Sequence, residues 1–206
     1  MRKRTIPFIT ITIIIINAFI YLGIELSGAM NDTMFFLEHG AMYGPYILED
    51  REYYRLITSM FLHFDFYHIM NNMFMLAAFG YYLEPAYGRV KYLFTYLFSG
   101  LCGNLLSLFL HTMHGEMVVS AGASGAVFGV LGIMAALVLK NWKQFRQFLG
   151  QRVILMIALC LYYGFTGLDI DNYAHLGGLV GGFLMAALLH RKIPVSAMPY
   201  ERDQAD

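Results

Sequence analysis

Charge is what this 206-residue chain has least of. Lys, Arg, Asp and Glu make up only 14% of it, and its mean hydropathy is +0.55. A soluble domain of this length carries about 25% charged residues. The charge present is too sparse to cover a soluble surface, and with 58% hydrophobic residues the composition implies an integral membrane protein. Cysteine is scarce too. Cys102 and Cys160 each lie inside an apolar run, which excludes a disulfide framework and any Cys-based metal spacing. There is no HExxH. His63 and His68 are five apart and do not share a helical face, while His111 and His114 fall in an outer loop and are assigned to the interface. No metal, no cofactor and no nucleic-acid partner is expected. No internal repeat and no pair of intramembrane carboxylates is present, which argues against a small transporter.

What the chain has instead is apolar runs. Six follow one another at about 6–24, 66–84, 92–110, 121–139, 153–169 and 174–190, lengths that suit helices crossing a hydrocarbon core of about 30 Å. Thr5 to Ile24 carries no charge over its 20 residues. It is too long for the apolar core of a signal peptide and is assigned as a first span. Residues 25–65 are too charged to span and too aromatic for a free linker, so they are expected to lie as a long interfacial loop against the bundle. The expectation is an all-α polytopic protein with one membrane domain over 1–192 and a short polar tail over 193–206.

Orientation follows from Lys and Arg. With the N-terminus in the cytoplasm, 12 of the 14 basic residues are cytoplasmic, and only Arg51 and Arg55 lie outside. Both termini are then cytoplasmic. Ser124, His175, His68 and Asn72 all come near the outer ends of their spans.

Polar groups inside a bilayer are costly and by default mark function. Ser124 in SAGASGAVFG has two readings. Gly125 and Gly129 form a small-xxx-small pair, so the serine is either part of a packing notch or a nucleophile. In NYAHLGGLVGG, His175, Gly178 and Gly182 share one helix face that suits another glycine-rich helix. Such a contact brings an imidazole to the hydroxyl, and a serine nucleophile needs an adjacent base. A helix N-terminus at Ser124 offers free N–H groups for a developing oxyanion. His68 and Asn72, at i and i+4, supply two more donors. Asn71 is left to packing. Asp169 and Asp171 are assigned to a loop, so a Ser–His dyad is the simpler expectation.

These residues resemble the rhomboid intramembrane serine proteases. The resemblance rests on GASG at 122–125, His68-xxx-Asn72, and AHLGGLVGG at 174–182, and it runs from residue 50 to 190. It implies that Ser124 is the nucleophile and His175 its general base, with His68, Asn72 and the serine's own N–H as the oxyanion hole. It also implies a hydrogen-bonding role for His63, a helix-holding role for Glu84, and a stack of Phe128 on His175. Gly122, Gly125, Gly178 and Gly182 are the supporting glycines. Arg55 follows Tyr54 where the family usually has Trp-Arg. The implied partners are the lipid bilayer and transmembrane protein substrates. The implied form is the six-helix one, and the expected place is a bacterial plasma membrane or an organelle, the short form favouring the bacterial one. The rival expectations are a non-enzymatic binder of membrane segments and a small transporter.

Overall fold

The structure, a computed structural model, describes residues 6–140, 158, 162 and 170–189. The basic residues 2–4, nearly all of the expected span 153–169 and the tail 193–206 lie outside the described residues.

The first helix, α1 (Phe8–Ser27), ends where Gly28 takes a left-handed conformation (φ 75°) and donates its N–H to the Glu25 carbonyl. A residue without Cβ adopts that conformation at little cost. The start of α1 has no cap of its own. Glu84, fully buried, accepts the N–H groups of Ile9 (3.0 Å) and Thr10 (2.8 Å) and the Thr10 hydroxyl (2.8 Å). A carboxylate is well placed there, because the first N–H groups of a helix are unpaired and carry its positive dipole end.

The segment expected as an interfacial loop is folded. It holds α2 (Thr33–Glu38), a two-residue strand β1 (Met42–Tyr43), α3 (Gly44–Leu48), α4 (Arg55–Thr58) and a 3-10 turn at Ser59–Phe61. Arg55 is buried at its centre. Its guanidinium donates to the carbonyls of Leu37 (2.5 Å) and Ala41 (2.9 Å), pairs with Glu52 (2.5 Å) and lies over the rings of Tyr46 and Tyr54. A planar, always-charged fork is what allows one side chain to serve three partners at once.

Two long helices follow. α5 (Phe66–Tyr87) is capped by Asp65, which accepts the His68 N–H at 2.8 Å. It continues through Pro85 and stops at Gly88 (φ 91°). α6 (Arg89–His114) runs four residues beyond the expected span. His111 and His114 therefore sit on its last turn, not in a loop, and the stop comes from left-handed Gly115 (φ 70°). A second short strand, β2 (Val119–Ser120), pairs antiparallel with β1, Met42 facing Ser120 and Tyr43 facing Val119. It leads into α7 (Ser124–Lys140), and the last described helix is α8 (Asn172–Leu189).

Among the described residues, three helices are long and apolar enough to cross a membrane: α1, α6 and α8. α7 is apolar but has only 17 residues. α5 has the length, but it carries His68, Asn71, Asn72 and Glu84, and these polar groups lower its hydropathy. α7 is the central helix, buried along nearly its whole length between α5, α6 and α8. Its contact with α8 is the most extensive in the described fold, followed by that of α6 with α8. In lipid, burial of apolar surface does not drive helices together. Close van der Waals contact does, and small residues permit it.

Candidate active site

Ser124 is the first residue of α7, and the approach to it is pinned from below. Gly122 donates its N–H to the Ser59 carbonyl at 2.9 Å, and Ala123 donates to His63 Nε2 at 3.4 Å. Gly122 has φ 144°, a conformation side chains rarely adopt, and a Cβ there would lie 2.6 Å from His68 Cε1 and 2.7 Å from Nε2. The same point is 3.7 Å from Ser124 Oγ. The first glycine of GASG is thus required both by its backbone and by the imidazole edge that approaches it. That edge places His68 Nε2 on the serine's side of the loop.

His175 lies in the first turn of α8, with its N–H bonded to the Asp171 carbonyl at 3.1 Å. Its ring is 4.1 Å from that of Phe128 and within 8° of parallel. Phe128 is one turn after Ser124 on α7, so the stack holds the imidazole beside the serine's own helix. The glycines make this approach possible. A Cβ on Gly178 would overlap the Gly125 carbonyl, and one on Gly182 would overlap that of Gly129. Gly125 faces the Ala174 carbonyl, 3.4 Å from where its own Cβ would be. α7 and α8 therefore touch backbone to backbone over two turns, starting at the level of Ser124 and His175.

On α5, Asn72 is buried and its amide Nδ2 donates to His63 Nε2 at 3.1 Å. One N–H of that amide remains for another acceptor. His63 thus accepts from both Asn72 and Ala123, which joins α5 to the Ser124 loop. Burial, with the neighbouring His68 ring as a second cause, lowers the His63 pKa to about 3, against an opposing interaction with the Phe61 backbone. A neutral ring with a bare Nε2 is the form that can accept two donors. Asn71 is exposed.

The structure thus brings together Ser124, His175, His68, Asn72, His63, Phe128, Gly122, Gly125, Gly178 and Gly182. It leaves two of the expected residues apart. Glu84 is at the far end of α5, about 18 Å from Asn72 at 1.5 Å per residue, and Arg55 organises the folded first loop.

Some contributors escape sequence reasoning. A Cβ on Gly103 of α6 would lie 2.6 Å from the Ala174 carbonyl, and one on Gly177 would lie 2.6 Å from that of Cys102. α6 is therefore also pressed against α8 through glycines, though less closely than α7 is. Gly100, one turn before Gly103, faces Met60 and Ala126 instead, so the spacing of the two glycines does not point to α8. Asp171, assigned to a loop, is bonded to three elements, and nothing local in the sequence shows it.

Comparison with known proteins gives this arrangement a family. The Rhomboid domain profile matches residues 50–192. The chain belongs to the rhomboid family. It is 34% identical over 183 residues to Rhomboid protease GluP of Bacillus subtilis (strain 168), covering 89% of this chain and 35% of that protein. To RHOMBOID-like protein 7 of Arabidopsis thaliana it is 40% identical over 152 residues, covering 73% of this chain and 47% of the relative. To Putative rhomboid protease YdcA of Bacillus subtilis (strain 168) it is 33% identical over 141 residues, covering 68% and 69%. The chain spans between a third and a half of the length of the first two relatives. This rhomboid is accordingly an integral membrane protein, and its motifs GASG, His68-xxx-Asn72 and AHLGGLVGG all fall inside the matched segment.

Proposed function

We propose that this rhomboid is an intramembrane serine endopeptidase that cuts transmembrane segments of other membrane proteins with a Ser124–His175 dyad. The observation that carries the reading is the parallel stack of His175 on Phe128, one turn from Ser124, where α7 and α8 meet backbone to backbone. Relatives at this level of identity that are named proteases support it.

Ser124 Oγ attacks the scissile carbonyl while His175 takes the hydroxyl proton. The carbonyl oxygen becomes an oxyanion, stabilised by the N–H groups at the start of α7, the remaining Asn72 N–H and His68. His175 returns the proton to the leaving amine, and an acyl-enzyme remains. Water, deprotonated by His175, then releases the new carboxylate and restores the serine. A helical substrate must unwind locally at the cut, because its peptide carbonyls are otherwise shielded. Small and helix-breaking residues near the cut favour that step.

In this reading the chain makes six spans as one membrane domain over 1–192, with 153–169 as the fifth. Both termini and the 193–206 tail are cytoplasmic in a bacterial plasma membrane, and the site opens to the outer side.

The test is labelling of the purified protein by a fluorophosphonate, alongside cleavage of a reporter transmembrane substrate. Ser124→Ala is expected to abolish both, and His175→Ala to reduce both to background, with the protein still folded. Undiminished cleavage by Ser124→Ala would sink the reading.

A further inference from the structure

Asp171 lies four residues before His175, and Ser120 lies four residues before Ser124. The two are bonded. Asp171 Oδ2 accepts the Ser120 hydroxyl at 2.8 Å and the Ser107 hydroxyl of α6 at 2.5 Å. Its other oxygen, Oδ1, accepts the Ala174 N–H at 3.0 Å, and its backbone carbonyl accepts the His175 N–H at 3.1 Å. One residue therefore caps the first turn of α8 and holds that turn to α6 and to the strand entering the Ser124 loop. His111 closes the outer side, its Nε2 3.7 Å from Asp171 Oδ1 and its Nδ1 2.6 Å from Glu116, with the Tyr173 ring packed against it.

We infer that Asp171 is a positioning residue, a clasp that fixes His175 relative to Ser124 by tying the start of α8 to Ser120 and Ser107. The inference rests on the dyad proposed above. The glycine contacts set how near α7 and α8 lie. They run along the helices and do not by themselves fix the height of the first turn of α8 or the course of residues 120–123. The clasp holds both. A displacement of about 1 Å at such a dyad is enough to cost about a hundred-fold in rate.

The experiment uses the full chain in lipid nanodiscs, with Asp171→Ala, Asp171→Asn and the double variant Ser107→Ala/Ser120→Ala. Three quantities are read: the rate of fluorophosphonate labelling of Ser124, the kcat and KM for a reporter transmembrane substrate, and amide exchange over 119–123 and 173–176. For Asp171→Ala we expect labelling rate and kcat to fall by about ten-fold or more, with KM little changed. Exchange should rise in both segments together. Asp171→Asn keeps the cap acceptor and can offer N–H groups to the two hydroxyls, so it should recover part of the rate. The double variant keeps the cap but loses the ties, and should be slow with α8 still protected.

Labelling of Asp171→Ala at the wild-type rate would overturn the inference. So would a double variant that labels normally, since Asp171 would then only cap α8. Wild-type protein that takes no label would overturn the dyad and this role with it. Coupled exchange in the two segments would then mark the clasp as structural only.

Discussion

The backbone of Gly178 lies against that of Gly125, so closely that a Cβ on Gly178 would overlap the Gly125 carbonyl oxygen. The obstacle is backbone, which cannot rotate aside as a side chain can. Gly178→Ala must therefore push α8 away from α7. Overpacking of this kind costs about 1–3 kcal/mol, and the displacement should carry His175 away from Ser124. We expect a lower unfolding temperature and loss of most fluorophosphonate labelling. Gly23→Ala is the control, because nothing lies within 4 Å of a Cβ there, and it should label like wild type. Equal behaviour of the two variants would contradict the packing argument.

Phe128 supplies the face on which His175 rests. An offset or parallel aromatic pair contributes about 0.5–1.5 kcal/mol beyond its burial. Phe128→Leu keeps most of the apolar volume and removes the flat platform. The labelling rate should fall by up to about ten-fold, the kinetic equivalent of about 1.4 kcal/mol, with the labelled fraction at completion unchanged. A drop in the labelled fraction without a change in rate would mean that Phe128 matters for folding and not for holding the ring.

The parts of this site that were legible in the sequence are those written as spacing along one helix. Gly125 and Gly129 on α7, and His175, Gly178 and Gly182 on α8, declare a shared face because helical geometry fixes which residues can meet a neighbour. The start of a helix at Ser124 follows from the change from small loop residues to an apolar run. His63 was expected as a hydrogen-bonding residue, but its partners Ala123 and Asn72 come from separate segments, so no local pattern identifies them. The same holds for Asp171 with Ser107 and Ser120, and for Arg55 with the Leu37 and Ala41 carbonyls. The short helices within the interfacial first loop are not legible in the sequence, because they have four to six residues, too few to show a period. The extra turn of α6 is not legible in the sequence because His111 and His114 look like loop residues. Gly115, and not polarity, is what ends the helix.

His63 makes stability pH-dependent in a definite direction. Its ordinary pKa of 6.5 is lowered in the fold to about 3 by burial. Above pH 6.5 the ring is neutral in both folded and unfolded chains, and the stability is fully present. As pH falls from 6.5 toward 3, the unfolded chain binds a proton that the folded one refuses. Stability is lost at up to about 1.4 kcal/mol per pH unit. Protonation would also turn Nε2 from the acceptor of the Ala123 and Asn72 N–H groups into a donor facing them. Thermal unfolding from pH 7 to pH 4 should show a steeper decline for wild type than for His63→Phe, with the contributions of other groups cancelling in the difference. Parallel curves would contradict the buried neutral ring.

Glu84 separates holding the fold together from doing chemistry. Its two oxygens accept three hydrogen bonds from the first turn of α1, and Arg89 approaches Oε1 at 3.7 Å from the same end of α5. Gly80, one turn earlier, leaves room for this approach, since a Cβ there would lie 2.5 Å from the Thr10 hydroxyl. Glu84→Gln keeps the shape but replaces one oxygen with an NH2 group that faces N–H donors and cannot accept from them. A buried donor left unpaired costs about 1–3 kcal/mol, and the loss of negative charge at the α1 N-terminus adds to it. The unfolding temperature should drop. The labelling rate of Ser124, measured well below that temperature, should stay at the wild-type value, because Ser124 and the proposed dyad lie on the His68 side, at the opposite end of α5. A rate that falls in step with stability would show that α1 is coupled to the dyad through α5, and that Glu84 is part of how the site is held.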